Sequence, residues 1–137
     1  MTDYSLLLRD NDLKATFQRM QILETVSKFG HITIDSIYTE ISKIHSSISL
    51  ATIYKNILMM VERDVLTEVS IIGKKTKYEI KKDEHIHLIC ISCGDVHDKS
   101  FKDRTLEYID SISDDFLLST TRREINLYGV CNRCNSI

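Results

Sequence analysis

Four cysteines, Cys90, Cys93, Cys131 and Cys134, stand in two CxxC pairs separated by residues 94–130, and no fifth cysteine is left over. Four thiolates are the ligand set and tetrahedral geometry that structural zinc prefers. In a reducing compartment such a set holds a metal more often than a disulfide. Neither pair sits in the βαβ setting of a thioredoxin-like redox motif, and four thiolates leave no open position for a catalytic water. A zinc deaminase would need His-x-Glu ahead of Pro-Cys-x-x-Cys, and the chain contains no proline.

A second constellation has different chemistry. His85 and His87 flank Ile86 in an alternating stretch, so on a strand their side chains leave one face about 7 Å apart, within reach of one ion. The same parity sends Cys90 to the other face, so these histidines serve a metal distinct from the cysteine clamp. Glu79, Asp83, Glu84, Asp95 and Asp98 are carboxylates near enough in sequence to join them. A nitrogen and oxygen donor set suits Fe(II), Mn(II) or Zn(II). Spacing does not choose among the carboxylates, and it leaves His31 open between a ligand and a helix-end surface residue.

These residues need elements to position them. From Thr16, a candidate N-cap, Ile22, Leu23, Val26 and Phe29 recur at helical spacing up to Gly30. A second helix starts near Thr33 or Asp35 with Ile37, Tyr38, Ile41 and Ile44. A third opens at Ser49 and buries Ile53, Ile57, Met60 and Val61, leaving Tyr54, Lys55 and Asn56 on other faces. After Asp64 the pattern alternates: 66–72 and 76–80 read as strands about a Gly73-Lys74 turn, with Lys74, Lys75 and Lys77 at the tip. Three helices and a basic hairpin make a winged helix-turn-helix pattern, with the third helix for the major groove and the hairpin tip for phosphate. Strands at 85–91, 96–101 and 124–130 and a helix through Leu106, Ile109 and Ile112 follow. The fold class is α+β, with a winged helix-turn-helix domain at 1–80 and a small α/β dimerisation domain carrying the four-cysteine zinc site at 81–137. Fewer than 60 residues bury too little core alone, so that second domain calls for a metal and a partner subunit.

Composition excludes other classes. At 137 residues and 42% apolar, the chain is a folded globular protein. No apolar run reaches the roughly 18 residues of a membrane span, and residues 1–10 lack the features of a secretory signal, so the expected place is the cytoplasm. Net charge is −2, with ten basic and ten acidic residues in 1–80. DNA affinity must therefore come from a local basic surface, doubled by dimerisation.

The stretches LKATFQRMQIL (13–23), GHITIDSIY (30–38), SISLATIYKNI (47–57), HIHLICISCGDVHD (85–98) and LYGVCNRC (127–134) together resemble the ferric-uptake-regulator family over nearly the whole chain. The resemblance implies a winged-helix domain, a hinge near residue 80, an α/β dimerisation domain and a regulatory metal site at His31, Glu79, His85, His87 and Asp98. It implies a homodimer on double-stranded DNA at an AT-rich inverted repeat, with no membrane partner. Lys14 falls on the family's minor-groove basic residue, and Tyr54 and Lys55 on its recognition helix; Lys74 and Lys75 complete the expected DNA surface. Phe17 departs from the proline usual in this motif. Glu84, Ile86 and Arg123 stand where a further metal site of iron-responsive members has His, Asp and His.

Within the family, Asp98 and the missing further site point to the peroxide-sensing branch, while Glu79 and Lys55 do not match that branch's usual residues. The expected function is a metal-dependent repressor with structural Zn(II) and regulatory Fe(II) or Mn(II). It senses peroxide through iron-catalysed oxidation of ligand histidines, with His31 and His85 as the oxidised residues. An iron-responsive regulator or another metal sensor of the family is the alternative. Turnover of peroxide by an enzyme is disfavoured by the helix-turn-helix pattern.

Overall fold

The computed structural model describes residues 3–135; Met1 and Thr2 of the N-terminal stretch, and residues 136 and 137, lie outside the described residues. The chain divides into two compact units between Lys81 and Lys82.

The first unit runs α1 (Tyr4–Asp10), α2 (Phe17–Phe29), β1 (Ile32–Thr33), α3 (Ile34–Ser42), α4 (Leu50–Glu62), β2 (Leu66–Val69) and β3 (Lys77–Ile80). Short polar side chains start its helices by taking backbone N–H groups that the first turn leaves over. Thr16 accepts from Arg19 N, Thr33 from Ser36 N at 3.2 Å and Ser49 from Thr52 N at 3.1 Å. Gly30 ends α2 with φ of 79° and ψ of −63°, a positive-φ γ-turn that glycine tolerates best, closed by His31 N on Phe29 O at 3.0 Å. The inward faces meet in one core: Ile22, Leu23 and Val26 of α2, Ile37 and Ile41 of α3, and Ile53, Ile57 and Met60 of α4 are buried. Leu8 of α1 closes that core.

The structure differs from the sequence reading here in three respects. Helix α1 precedes the three expected helices. Helix α3 ends at Ser42, so Ile44 lies beyond it and is exposed. Both wing strands are shorter than their apolar runs, and β3 carries a third strand, β1, on its other edge, giving the order β1-β3-β2.

The second unit contains β4 (His85–Cys90), β5 (Val96–Ser100), α5 (Thr105–Asp115) and β6 (Ile125–Gly129). Strand β4 is central, antiparallel to β5 and parallel to β6. A parallel partner needs a crossover, which α5 supplies. The core of this unit is thin. Ile89 and Cys90 are its buried apolar side chains, α5 buries none of its residues, and Phe116, Leu117 and Leu118 behind it stand exposed, Leu117 by 95%. Among the described residues no helix is long and apolar enough to cross a membrane.

Candidate metal centres and nucleic-acid surface

The parallel pairing of β4 with β6 builds the cysteine cluster. Parallel strands end at the same side of the sheet, and the register sets Cys90 opposite Gly129, with Ile91 N bonded to Gly129 O at 2.8 Å. Each CxxC turn therefore begins at one sheet end. Gly94, at φ of 82°, closes the first turn with its N–H on Cys90 O at 2.9 Å; Cys134 N on Cys131 O at 3.1 Å closes the second.

The four sulfurs converge to within 4.8 Å of one another. Cys93 Sγ and Cys131 Sγ are 3.9 Å apart, far beyond a disulfide bond of about 2.0 Å. A tetrahedral ion with bonds of about 2.3 Å sets sulfur separations of about 3.8 Å. The electrostatics point the same way. Backbone N–H groups of Cys93 and Cys131 hold the Cys90 thiol down to about 6, and the N–H of Cys134 lowers Cys131. Cys93 accepts an N–H from Asp95, yet burial and bonds to the other sulfurs push it up to about 11, and Cys134 is raised as well. Four clustered sulfurs do not all ionise by themselves; a divalent cation at their centre removes that conflict. The donor set is that of structural zinc.

The histidines and carboxylates lie on both units. In the first, β1 is the positioning element. It pairs with β3 so that Ile32 faces Tyr78, which brings the preceding His31 to Glu79. His31 Nε2 and Glu79 Oε2 are 2.8 Å apart, and Glu79 is only 2% exposed.

In the second unit, β4 and β5 place His87 directly opposite Asp98, with His85 two residues along the same face. Asp98 Oδ1 lies 3.4 Å from His85 Nε2 and 3.6 Å from His87 Nε2, and the two Nε2 atoms are 2.9 Å apart. The opposite ring nitrogens face acceptors: His85 Nδ1 lies 2.8 Å from Asp83 O, and His87 Nδ1 lies 3.0 Å from Asn126 Oδ1. Asn126 is oriented in turn, because its Nδ2 donates to Tyr128 Oη at 3.2 Å. With both Nδ1–H groups donating, both Nε2 atoms present lone pairs to one point beside a carboxylate, an arrangement that a shared cation or proton stabilises. Lys82 also pairs with Asp98 and stands in for positive charge there.

Other nearby carboxylates are directed elsewhere. Glu84 meets Arg123 Nε at 2.9 Å, Asp95 pairs with Arg133, and Asp83 contributes its backbone carbonyl. The supporting Asn126 and the competing Lys82 were not identified from sequence. The signal for Asn126 is its place opposite His87, which only the parallel register reveals.

The basic and aromatic candidates of the first unit face solvent. Lys14 is exposed just ahead of α2, and Tyr54, 51% exposed, and Lys55 project from the outer face of α4. Lys74 and Lys75 are exposed beside Gly73 at the wing tip, where Lys75 pairs with Asp35 of α3.

Comparison with known proteins gives a consistent picture. The model of the ferric uptake regulator family matches residues 10–128. The ferric uptake regulation protein of Campylobacter upsaliensis is 31% identical over 137 residues, covering 96% of this chain and 86% of that protein. The peroxide-responsive repressor PerR of Staphylococcus aureus is 30% identical over 129 residues, covering 93% and 86%. Among solved structures, the Campylobacter jejuni peroxide stress regulator is 35% identical with a TM-score of 0.78, covering 97% of this chain and all of the other. The Vibrio cholerae ferric uptake regulator is 28% identical at a TM-score of 0.77, covering 94% of this chain and all of the other. The chain therefore belongs to the ferric uptake regulator family, whose members are metal-dependent transcriptional regulators and not enzymes.

Proposed function

We propose that this chain is a homodimeric, cytoplasmic repressor that binds an AT-rich inverted repeat when metal-loaded and releases it on exposure to peroxide. Residues 1–80 bind DNA; residues 81–137 dimerise and hold metal. Zn(II) on Cys90, Cys93, Cys131 and Cys134 is structural, clamping the end of β4 to the segment after β6 in a unit with little core of its own. The regulatory ligands are His31 and Glu79 from the first unit and His85, His87 and Asp98 from the second. A cation held by ligands from both units favours the conformation that brings them together, and that differential affinity is what drives DNA binding.

The observation that carries the peroxide reading is the pair of Nε2 atoms of His85 and His87 directed at one point beside the aspartate Asp98, with no thiolate among the donors. Nitrogen and oxygen donors accept Fe(II) or Mn(II), and Fe(II) held there would supply redox chemistry with peroxide beside the imidazoles. Overall, one peroxide would place one oxygen on the ring of His31 or His85, the second oxygen leaving as water. An oxidised ring is a poor ligand, so the site loses affinity and the operator is released. On DNA, Tyr54 and Lys55 read the major groove, Lys14 enters the minor groove, and Lys74 and Lys75 meet phosphate.

The test is operator binding by the Fe(II)- and Mn(II)-loaded dimers, on a duplex selected from a random pool, before and after stoichiometric peroxide. Release by the iron form alone is expected, because Mn(II) reduces peroxide poorly. Binding that follows Fe(II) and ignores peroxide makes the chain an iron-responsive regulator, the reading that Glu79 favours.

A further inference from the structure

Arg19 projects from α2 toward two groups of the proposed DNA surface. Its Nη1 donates to the backbone oxygen of Lys14 at 3.0 Å, its Nε to Asn56 Oδ1 at 3.1 Å, and its Nη2 to Met59 Sδ at 3.0 Å. Asn56 and Met59 belong to α4, and Asn56 directly follows Tyr54 and Lys55. Both ends of the bridge are fixed. Asn56 Nδ2 donates to Thr52 O at 2.9 Å, which aims its Oδ1 at the guanidinium, and Lys14 O also accepts Thr16 N at 2.9 Å. None of these acceptors is a carboxylate, so they leave the charge of Arg19 uncompensated.

We propose that Arg19 is a positioning residue that sets the distance between the loop carrying Lys14 and the recognition helix α4, and thereby lets one protomer read a minor groove and the adjacent major groove together. The proposal rests on the DNA-binding reading given above. Lys14 lies outside any helix, on the segment between α1 and α2. Leu13 and Ala15 on either side seat the segment against the core, and a rigid fork of donors on the Lys14 carbonyl orders the exposed residue between them, which lowers the entropy lost on entering a groove. A lysine could not replace the arginine, because one ammonium on a flexible stem does not span acceptors on two elements. Packing between α2 and α4 does not depend on this bridge. Ile22 and Leu23 share the buried core with Ile53 and Ile57.

The experiment compares full-length, metal-loaded dimers on the selected duplex after its A·T pairs beneath Lys14 are replaced by inosine·cytosine or by G·C. These two substitutes present the same major groove and differ by the guanine 2-amino group in the minor groove. Wild type should prefer inosine·cytosine by about tenfold, and Arg19→Met should bring that ratio to near one while remaining folded by thermal melting. It should keep its discrimination of thymine from uracil beneath Tyr54. Arg19→Lys should behave like Arg19→Met, Asn56→Ala should reduce the ratio from the α4 side, and adding Lys14→Ala to Arg19→Met should cause no further loss. An unchanged ratio in Arg19→Met or Arg19→Lys overturns the proposal, as does loss of both discriminations together. A ratio of one in wild type overturns the minor-groove reading of Lys14 before Arg19 is altered, so the two failures are distinguishable.

Discussion

The amide of Asn126 governs which nitrogen His87 can offer a metal. It accepts the Nδ1 proton and is itself held by Tyr128, so Nε2 keeps its lone pair toward Asp98. Such supporting bonds commonly carry roughly 10–100-fold in affinity. Asn126→Ala should weaken Mn(II) binding about tenfold and leave the zinc content unchanged, as measured by metal titration and elemental analysis. Equal Mn(II) affinity in the variant would show that the ring needs no such orientation. The residues proposed to hold the metals were legible in sequence in two ways. The alternation of His85 and His87 and the CxxC pairs are local patterns, while Glu79 and Asp98 were two of five nearby carboxylates and His31 an open candidate until the family resemblance singled them out. The residues behind them were not legible, because Asn126 lies opposite His87 through a pairing 39 residues away in sequence.

Among the elements, the helix starts were the most readable, since Thr16, Thr33 and Ser49 are cap residues that act within three positions of themselves. Strand β1 was unreadable: two residues carry no periodicity. Yet β1 is what delivers His31 to Glu79, directly after the turn at Gly30. At Gly30 a new Cβ would meet no atom within 4 Å, so the cost of Gly30→Ala is backbone strain alone. About 1 kcal/mol of stability should be lost, read by urea denaturation. A neutral result would mean that an alanine fits the positive φ at the end of α2 as well as glycine does. Helix α1 escaped notice because seven residues with a single buried side chain, Leu8, show no stripe.

For the whole molecule, the two units are stabilised differently. The first closes an apolar core of its own, and the second sets a cysteine cluster at one end of a three-stranded sheet and leaves Tyr108, Ile112, Phe116 and Leu117 exposed. The sequence indicated that weakness through segment length alone; along α5, Leu106 and Ile109 are only half-buried and Ile112 is exposed. Exposed apolar surface of this kind marks a protein interface, in keeping with the proposed dimer. Cys131→Ser should therefore lower zinc content, reduce the melting temperature and shift sedimentation toward monomer. A zinc-poor variant with wild-type melting and sedimentation would remove the structural role assigned to the clamp.

Mass spectrometry of the Fe(II)- and Mn(II)-loaded protein after one equivalent of peroxide, beside operator binding on the same samples, decides whether the bound metal directs peroxide onto its own ligands. The iron form should gain one oxygen atom on a peptide containing His31 or His85 and release the operator, and the manganese form should do neither. Intact histidines in the iron form, with oxidised cysteines and loss of zinc instead, would contradict that mechanism.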